Sequence, residues 1–164
     1  MICRAKNSLP TMKYSSISSR AVSQACLVVL LGFSASSHSQ ELRTGTIKAV
    51  IGTVQVVRGE SRQLARPGDM VAEQDRISTG PDSATAFTLR DGTIISVGSN
   101  SALEVTRFQF EPTKQEGSMA IGLLSGSMRF ISGLLGKLQR DRVQISTRTA
   151  TVGIRGTDFI LEAE

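Results

Sequence analysis

Three aspartates, Asp69, Asp75 and Asp91, are the residues whose type could do chemistry in this sequence. Two carboxylates in register could serve general acid–base work, and three together could hold a divalent cation. Their contexts point elsewhere. Gly68-Asp69 and Asp91-Gly92 are turn dipeptides, in which an Asp carboxylate accepts hydrogen bonds from nearby backbone N–H groups. Asp75, Gly92 and Asn100 are read as turn residues on the same grounds. No Asp-x-Asp-x-Asp-Gly loop encodes calcium. Gly98-Ser99-Asn100-Ser101 offers hydroxyls without a base to activate them. Gly153-x-Arg155-Gly156 superficially resembles a phosphate loop but lacks the Gly-Lys-Ser/Thr ending and the helix that make such loops work.

Thiol and imidazole chemistry is confined to one end. Cys3, Cys26 and the single histidine, His38, all fall within residues 1–39. If that segment is removed, neither a thiolate nucleophile, an imidazole base nor a Cys/His zinc site can be built. The remaining domain is then held by packing without a disulfide frame.

Residues 1–39 have the three-part layout of a secretory signal. Residues 1–20 are polar and basic, Ala21–Phe33 is apolar, and Ser34–Ser39 is small and polar. The apolar stretch falls short of the ~20 residues that span a bilayer. Ser37 and Ser39 suit cleavage before Gln40, with the Ser37–His38 bond as second choice and an uncleaved signal anchor as the competing reading. Cys26 lies inside the apolar stretch, where a lipoprotein signal would need it afterwards. Met12 followed by Lys13 is an alternative start. The formal charge of the whole chain is +5. Arg4, Lys6, Lys13 and Arg20 all precede the apolar run. Removing these four leaves fifteen basic against fourteen acidic side chains, a net of +1. The remaining cations are interspersed with acids, so nucleic acid is not an expected partner.

The body, residues 40–164, reads as one all-β domain: a small two-layer sandwich or solenoid-like fold of short strands. Turn signals recur at roughly 8–12-residue spacing without long helical periods. Val54 and Val56 alternate with polar neighbours, as do Phe87 and Leu89, and Asp91-Gly92 predicts a tight two-residue hairpin turn before Thr93–Val97. Leu103, Val105, Phe108 and Phe110 continue the alternation, with a bulge expected near Thr106-Arg107. Glu111–Ser118 reads as a polar loop, and Ser125-Gly126-Ser127 as another hairpin between Ile121–Leu124 and Met128–Ile131. Val143 and Ile145 share one face, and Val152–Leu161 closes the chain. Leu134, Leu135 and Leu138 fall at helical spacing, as a flap over the core or as an exposed patch.

Three segments together resemble the FecR-domain family of periplasmic proteins. Leu64–Gly80 (LARPGDMVAEQDRISTG) resembles its doubled turn, in which two Asp-bearing corners precede an Ile-x-Thr-Gly corner. Phe87–Val105 (FTLRDGTIISVGSNSALEV) resembles its central hairpin. Thr149–Phe159 (TATVGIRGTDF) resembles its C-terminal signature, with Gly153, Arg155, Gly156, Thr157, Asp158 and Phe159 as the candidate binding or structural motif. The resemblance covers about residues 48–161. It implies a periplasmic location, no catalytic residues and no cofactor. The role it implies is a non-enzymatic binding or scaffold module, whose partner is an envelope protein or cell-wall component and which touches the membrane only through that partner. The alternative is a component of an envelope signalling system. About twenty residues precede the apolar stretch, too few for the sigma-binding domain of the family's best-known branch. Arg155, whose planar fork of donors could tie down carbonyls or a carboxylate such as Asp75 or Asp91, is expected to hold a packed corner.

Overall fold

A computed structural model describes residues 43–154 and 158–164. The expected leader lies outside the described residues. The strands are β1 (Gly45–Ile51), β2 (Val54–Arg58), β3 (Ser61–Leu64), β4 (Met70–Val71), β5 (Arg76–Thr79), β6 (Ala84–Leu89), β7 (Ile94–Val97), β8 (Ala102–Glu111) and β9 (Glu116–Ile131). A short helix α1 (Leu134–Leu138) and a 3-10 turn (Arg140–Arg142) follow, then β10 (Val143–Ser146), β11 (Thr151–Gly153) and β12 (Asp158–Ala163). The all-β architecture expected from the turn spacing is the one observed. It takes the form of a single sheet, ordered β3-β2-β5-β8-β9-β7-β6-β1-β4, that curls into a half-barrel.

One strand joins the two halves. The first part of β9 pairs with β8 on one side and with β10, in parallel, on the other. Its last part pairs with β7 and with β12. The expected hairpin at Ser125-Gly126-Ser127 is therefore corrected: these residues are a bend inside one 16-residue strand. Gly126 has φ +82°, a left-handed conformation that costs glycine little, and the register with β8 shifts beside it, between Ala102 and Leu103. A small polar tripeptide reads as a turn in sequence, yet here it redirects a strand from one half of the sheet to the other.

Two smaller expectations are also revised. The β6–β7 connection is a three-residue loop, Arg90-Asp91-Gly92, closed by Leu89 N–H to Thr93 O at 2.8 Å and Gly92 N–H to Leu89 O at 3.0 Å. Gly92 alone is left-handed there, at φ +84°. That is the turn-plus-bulge connection, in place of the two-residue turn in which both central residues have positive φ. The polar loop expected over Glu111–Ser118 shrinks to residues 112–115, because β8 and β9 stay paired out to Glu111 and Glu116. The bulge expected near Thr106-Arg107 is present, with Val105 opposite Ile121 but Arg107 opposite Ala120.

The inner faces of both halves meet in one core, which includes Ile47, Phe87, Ile95 and Phe130 from one half and Val56, Ile77, Leu103 and Ile121 from the other. Alternation makes this possible. In β6 the inward Thr85, Phe87 and Leu89 are buried while Ala84, Ala86 and Thr88 face outward and are half-buried. The three leucines of the helical segment divide their roles. Leu135 is fully buried and caps the core, whereas Leu134 and Leu138 are exposed.

Candidate interaction surface

The two Asp-bearing corners before β5 are built alike. Asp69 Oδ2 accepts the Arg66 N–H at 2.8 Å, and Asp75 Oδ2 accepts the Ala72 N–H at 2.7 Å. In each corner the residue before the Asp is left-handed, Gly68 at φ +97° and Gln74 at φ +68°. Asp75 goes further. It is wholly buried, and Arg58 donates to both of its oxygens, Nε to Oδ1 at 2.7 Å and Nη2 to Oδ2 at 2.8 Å. Its main chain is fixed as well, since Val105 N–H donates to Asp75 O at 3.0 Å. The planar fork of Arg58 matches the carboxylate edge to edge, the geometry in which arginine binds most specifically. Sequence reasoning did not single out Arg58.

Asp91 is also buried and serves a second element. Its oxygens accept Thr93 N–H at 3.1 Å, Thr93 Oγ1–H at 2.7 Å and Leu135 N–H at 3.3 Å. Thr93 Oγ1 in turn accepts Gly133 N–H at 3.0 Å, and Asp91 O accepts Leu134 N–H at 2.8 Å. The hairpin loop therefore holds the start of α1, which plants Leu135 in the core. Asp69, Asp75 and Asp91 are not brought together. Each satisfies backbone donors of its own corner, the use of Asp that turns favour.

Asn100 occupies a left-handed position, φ +50°, and its N–H donates to Gly80 O at 3.1 Å. Beside it lies a hydroxyl corner that sequence reasoning did not see. Thr79 Oγ1 donates to Gly98 O at 2.6 Å and accepts Ser101 N–H at 2.9 Å. Ser101 Oγ accepts Ser127 N–H at 2.9 Å. These buried hydroxyls hold β5, β8 and β9 where β9 bends.

In the C-terminal motif, Arg155, Gly156 and Thr157 lie outside the described residues. Gly153 ends β11 opposite Gln144, with open space where a side chain would be. Asp158 begins β12 and receives two hydrogen bonds from Arg129, Nε to Oδ1 at 3.0 Å and Nη2 to Oδ2 at 2.6 Å. That bonding holds the Asp158 carboxyl below its ordinary value and raises Arg129. Phe159 stacks on buried Phe130, with centroids 5.3 Å apart and an interplanar angle of 25°. The described part of the motif thus fastens β12 to β9 from both faces. Asp75 and Asp91, the acids expected to be within the reach of Arg155, are held by Arg58 and by the α1 segment respectively.

A groove of about 450 Å³ opens at the end of the β8–β9 hairpin. Arg43, Arg90 and Arg142 face Glu73, Glu111 and Glu116 around it, with Phe108 and Phe110 between them. Among the described residues these six form no ion pair with one another. The walls suit a ligand bearing both charge signs.

The fold and its corners define a β-sheet domain whose buried polar side chains hold turns and bends. The chain belongs to the FecR protein family, whose model matches residues 75–164. The match begins at Asp75, so β5 to β12 lie within it, while β1 to β4 and the Asp69 corner precede it. No curated protein and no solved structure matches the chain.

Proposed function

We propose that the chain is exported to the cell envelope and acts there as a non-enzymatic binding or scaffold module, recognising an envelope protein or a cell-wall component. The observation that carries this reading is the engagement of two of the three candidate acids, Asp75 and Asp91. Asp75 and Asp91 are buried, and each accepts three hydrogen bonds from donors that hold the fold, which supports a structural use of these carboxylates. An accessible concavity is the mixed-charge groove of Arg43, Arg142 and Glu116, chemistry suited to gripping a peptide-like partner. The family match supports a second reading, a component of an envelope signalling system that passes a cue to a separate membrane partner.

Affinity capture from cross-linked periplasm tests both. A discrete envelope protein or cell-wall fragment should co-purify, and Arg43→Glu combined with Arg142→Glu should release it. Capture of a membrane-embedded signalling protein selects the second reading. Retention of residues 1–39 on a cytoplasmic species would overturn both.

A further inference from the structure

Among the described residues, the strands that border the sheet are β3, β4, β11 and β12. Three of them are short, β3 with four residues, β11 with three and β4 with two, as borders that resist stray pairing usually are. β12 is different. It runs for six residues, Asp158–Ala163, with no proline, lysine or arginine and no shift of register along β9. Which of its backbone groups point outward follows from β9. Met128–Ile131 pairs with both β7 and β12, so these two lie on opposite sides of it. Gly98 N–H donates to Ser127 O at 2.9 Å. The backbone groups of Ser127 and Arg129 are thereby directed to β7, and those of Met128 and Phe130 to β12. Leu161 and Phe159, opposite Met128 and Phe130, bond β12 to β9. Asp158, Ile160 and Glu162 therefore turn their N–H and C=O groups to the open border.

The side chains along this border are incompletely covered as well. Phe159, Leu161 and Ala163 pack against the core but are only partly buried, whereas Phe130 beside them is fully buried. Ile160, on the outer face, is 68% exposed. The charges of the strand have one sign. Arg129 engages Asp158, but among the described residues no ion pair engages Glu162 or Glu164. These two carboxylates, with Ser99 and Ser127, line a hollow of about 400 Å³ at the end of β12.

We infer that β12 accepts an added strand from a partner protein, an extended segment in which Lys or Arg alternates with apolar residues. The open N–H and C=O groups select extended backbone, which matches their spacing. Residues of the added strand opposite Phe159 and Leu161 point to the core side, where apolar side chains complete the burial. Those opposite Ile160 and Glu162 point outward. The one at Glu162 meets an unpaired carboxylate beside the hollow, a seat for a basic side chain. A second copy of the chain fits badly. Two copies related by a two-fold axis at this border run antiparallel. The register that engages the whole strand centres on Ile160 and sets Asp158 against Glu162 twice, and like charges directly opposite are unfavourable. The border is distinct from the mixed-charge groove, and the inference stands independently of the proposed envelope function.

The test uses the protein expressed from its full reading frame and purified as the cell processes it, with a capped, fluorescent heptapeptide of alternating Lys and Val as probe. Fluorescence anisotropy should give a Kd of about 100 μM or tighter. A peptide with the same residues in two blocks, and one alternating Glu and Val, should each bind at least about tenfold more weakly. N-methylation of one alternate set of peptide amides should abolish binding, and of the other set should leave it within about threefold, because only one edge of a strand pairs. Glu162→Lys, a change at an exposed side chain, should weaken the Lys-Val peptide at least about tenfold and favour the Glu-Val one. Amide exchange at Ile160 and Glu162 should slow on binding, while Phe159 and Leu161 are protected beforehand. Absence of binding at ~1 mM peptide overturns the inference. So does equal binding of the block peptide, indifference to Glu162→Lys, or slowed exchange that spares β12. A wild-type dimer in which Ile160 and Glu162 are already protected also overturns it, and gives the border to a second copy.

Discussion

Arg58 and Asp75, 17 residues apart in the chain, meet through two parallel hydrogen bonds of 2.7 and 2.8 Å at the mouth of a buried corner. The acid is wholly buried, whereas the arginine side chain is 33% exposed. Removing the arginine leaves a buried carboxylate with a single backbone donor. Arg58→Ala should therefore cost about 2–3 kcal/mol, less than the ~3–5 kcal/mol of a fully buried pair because water reaches the guanidinium. Arg58→Lys should recover less than half, since one ammonium cannot span both oxygens. Urea unfolding of the three proteins checks this. A loss below ~0.5 kcal/mol for Arg58→Ala would show that the pair is dispensable.

Asp91 predicts a local effect before a global one. Asp91→Ala leaves Thr93 N–H and Leu135 N–H without their acceptors and should cost about 2–3 kcal/mol. Amide exchange should rise first over Gly133–Leu138, the segment the carboxylate holds, while β5 and β8 keep their protection. Uniform loss of protection across the sheet is the contrary result. Asp91→Asn should behave similarly, because its amide nitrogen faces donors where Asp91 presents a second oxygen.

The bend of β9 can be measured against a control in the same molecule. Gly59 and Gly126 are both left-handed, at φ +56° and +82°. A methyl group at Gly59 meets nothing within 4 Å, whereas one at Gly126 would stand 2.2 Å from Ser101 Oγ and 2.6 Å from Ser101 Cα. Gly59→Ala should cost about 1 kcal/mol from backbone strain alone. Gly126→Ala should cost about two to four times as much, adding overpacking worth about 1–3 kcal/mol. Equal losses in thermal unfolding would mean that the corner opens freely.

The Arg129–Asp158 pair predicts a pH dependence. Hydrogen bonding to Arg129 lowers the folded-state value of Asp158 below its ordinary 3.8. Its contribution is therefore fully present above that value and disappears as the pH falls through the lower, folded-state value. Both side chains are exposed, so the effect is small and screened by salt. Wild type should exceed Asp158→Asn in urea midpoint near neutrality, and the difference should close on acidification below pH 3.8. A difference that widens in acid would contradict the assignment.

What the sequence disclosed and what it concealed divide by the range of the interaction. Asp69 and Asp91 announce their roles because the donors they satisfy lie two or three residues away. The bulge beside Thr106 is legible because two exposed residues interrupt an apolar alternation. The Arg58–Asp75 pair, the Thr79–Ser101–Ser127 corner and the hold of Asp91 on Leu135 are 17 to 44 residues long-range, and no local pattern encodes them. Ser125-Gly126-Ser127 misled for a further reason. Gly126 does adopt a turn-like φ, but whether a chain reverses or only bends there depends on β8 and β7 lying alongside. The open border of β12 was similarly hidden: Asp158, Ile160 and Glu162 turn their backbone outward only through the way β7 and β12 share β9.

Because β9 is the strand both halves share, the order in which the polypeptide is delivered has a cost. Until Glu116–Ile131 arrives, β3-β2-β5-β8 and β7-β6-β1-β4 are two separate ribbons, ending in the unpaired borders of β8 and β7. Such borders template pairing with other chains. A nascent chain halted near residue 115 is thus at its greatest hazard of mispairing. The arrival of one further stretch of sixteen residues closes both borders in a single event.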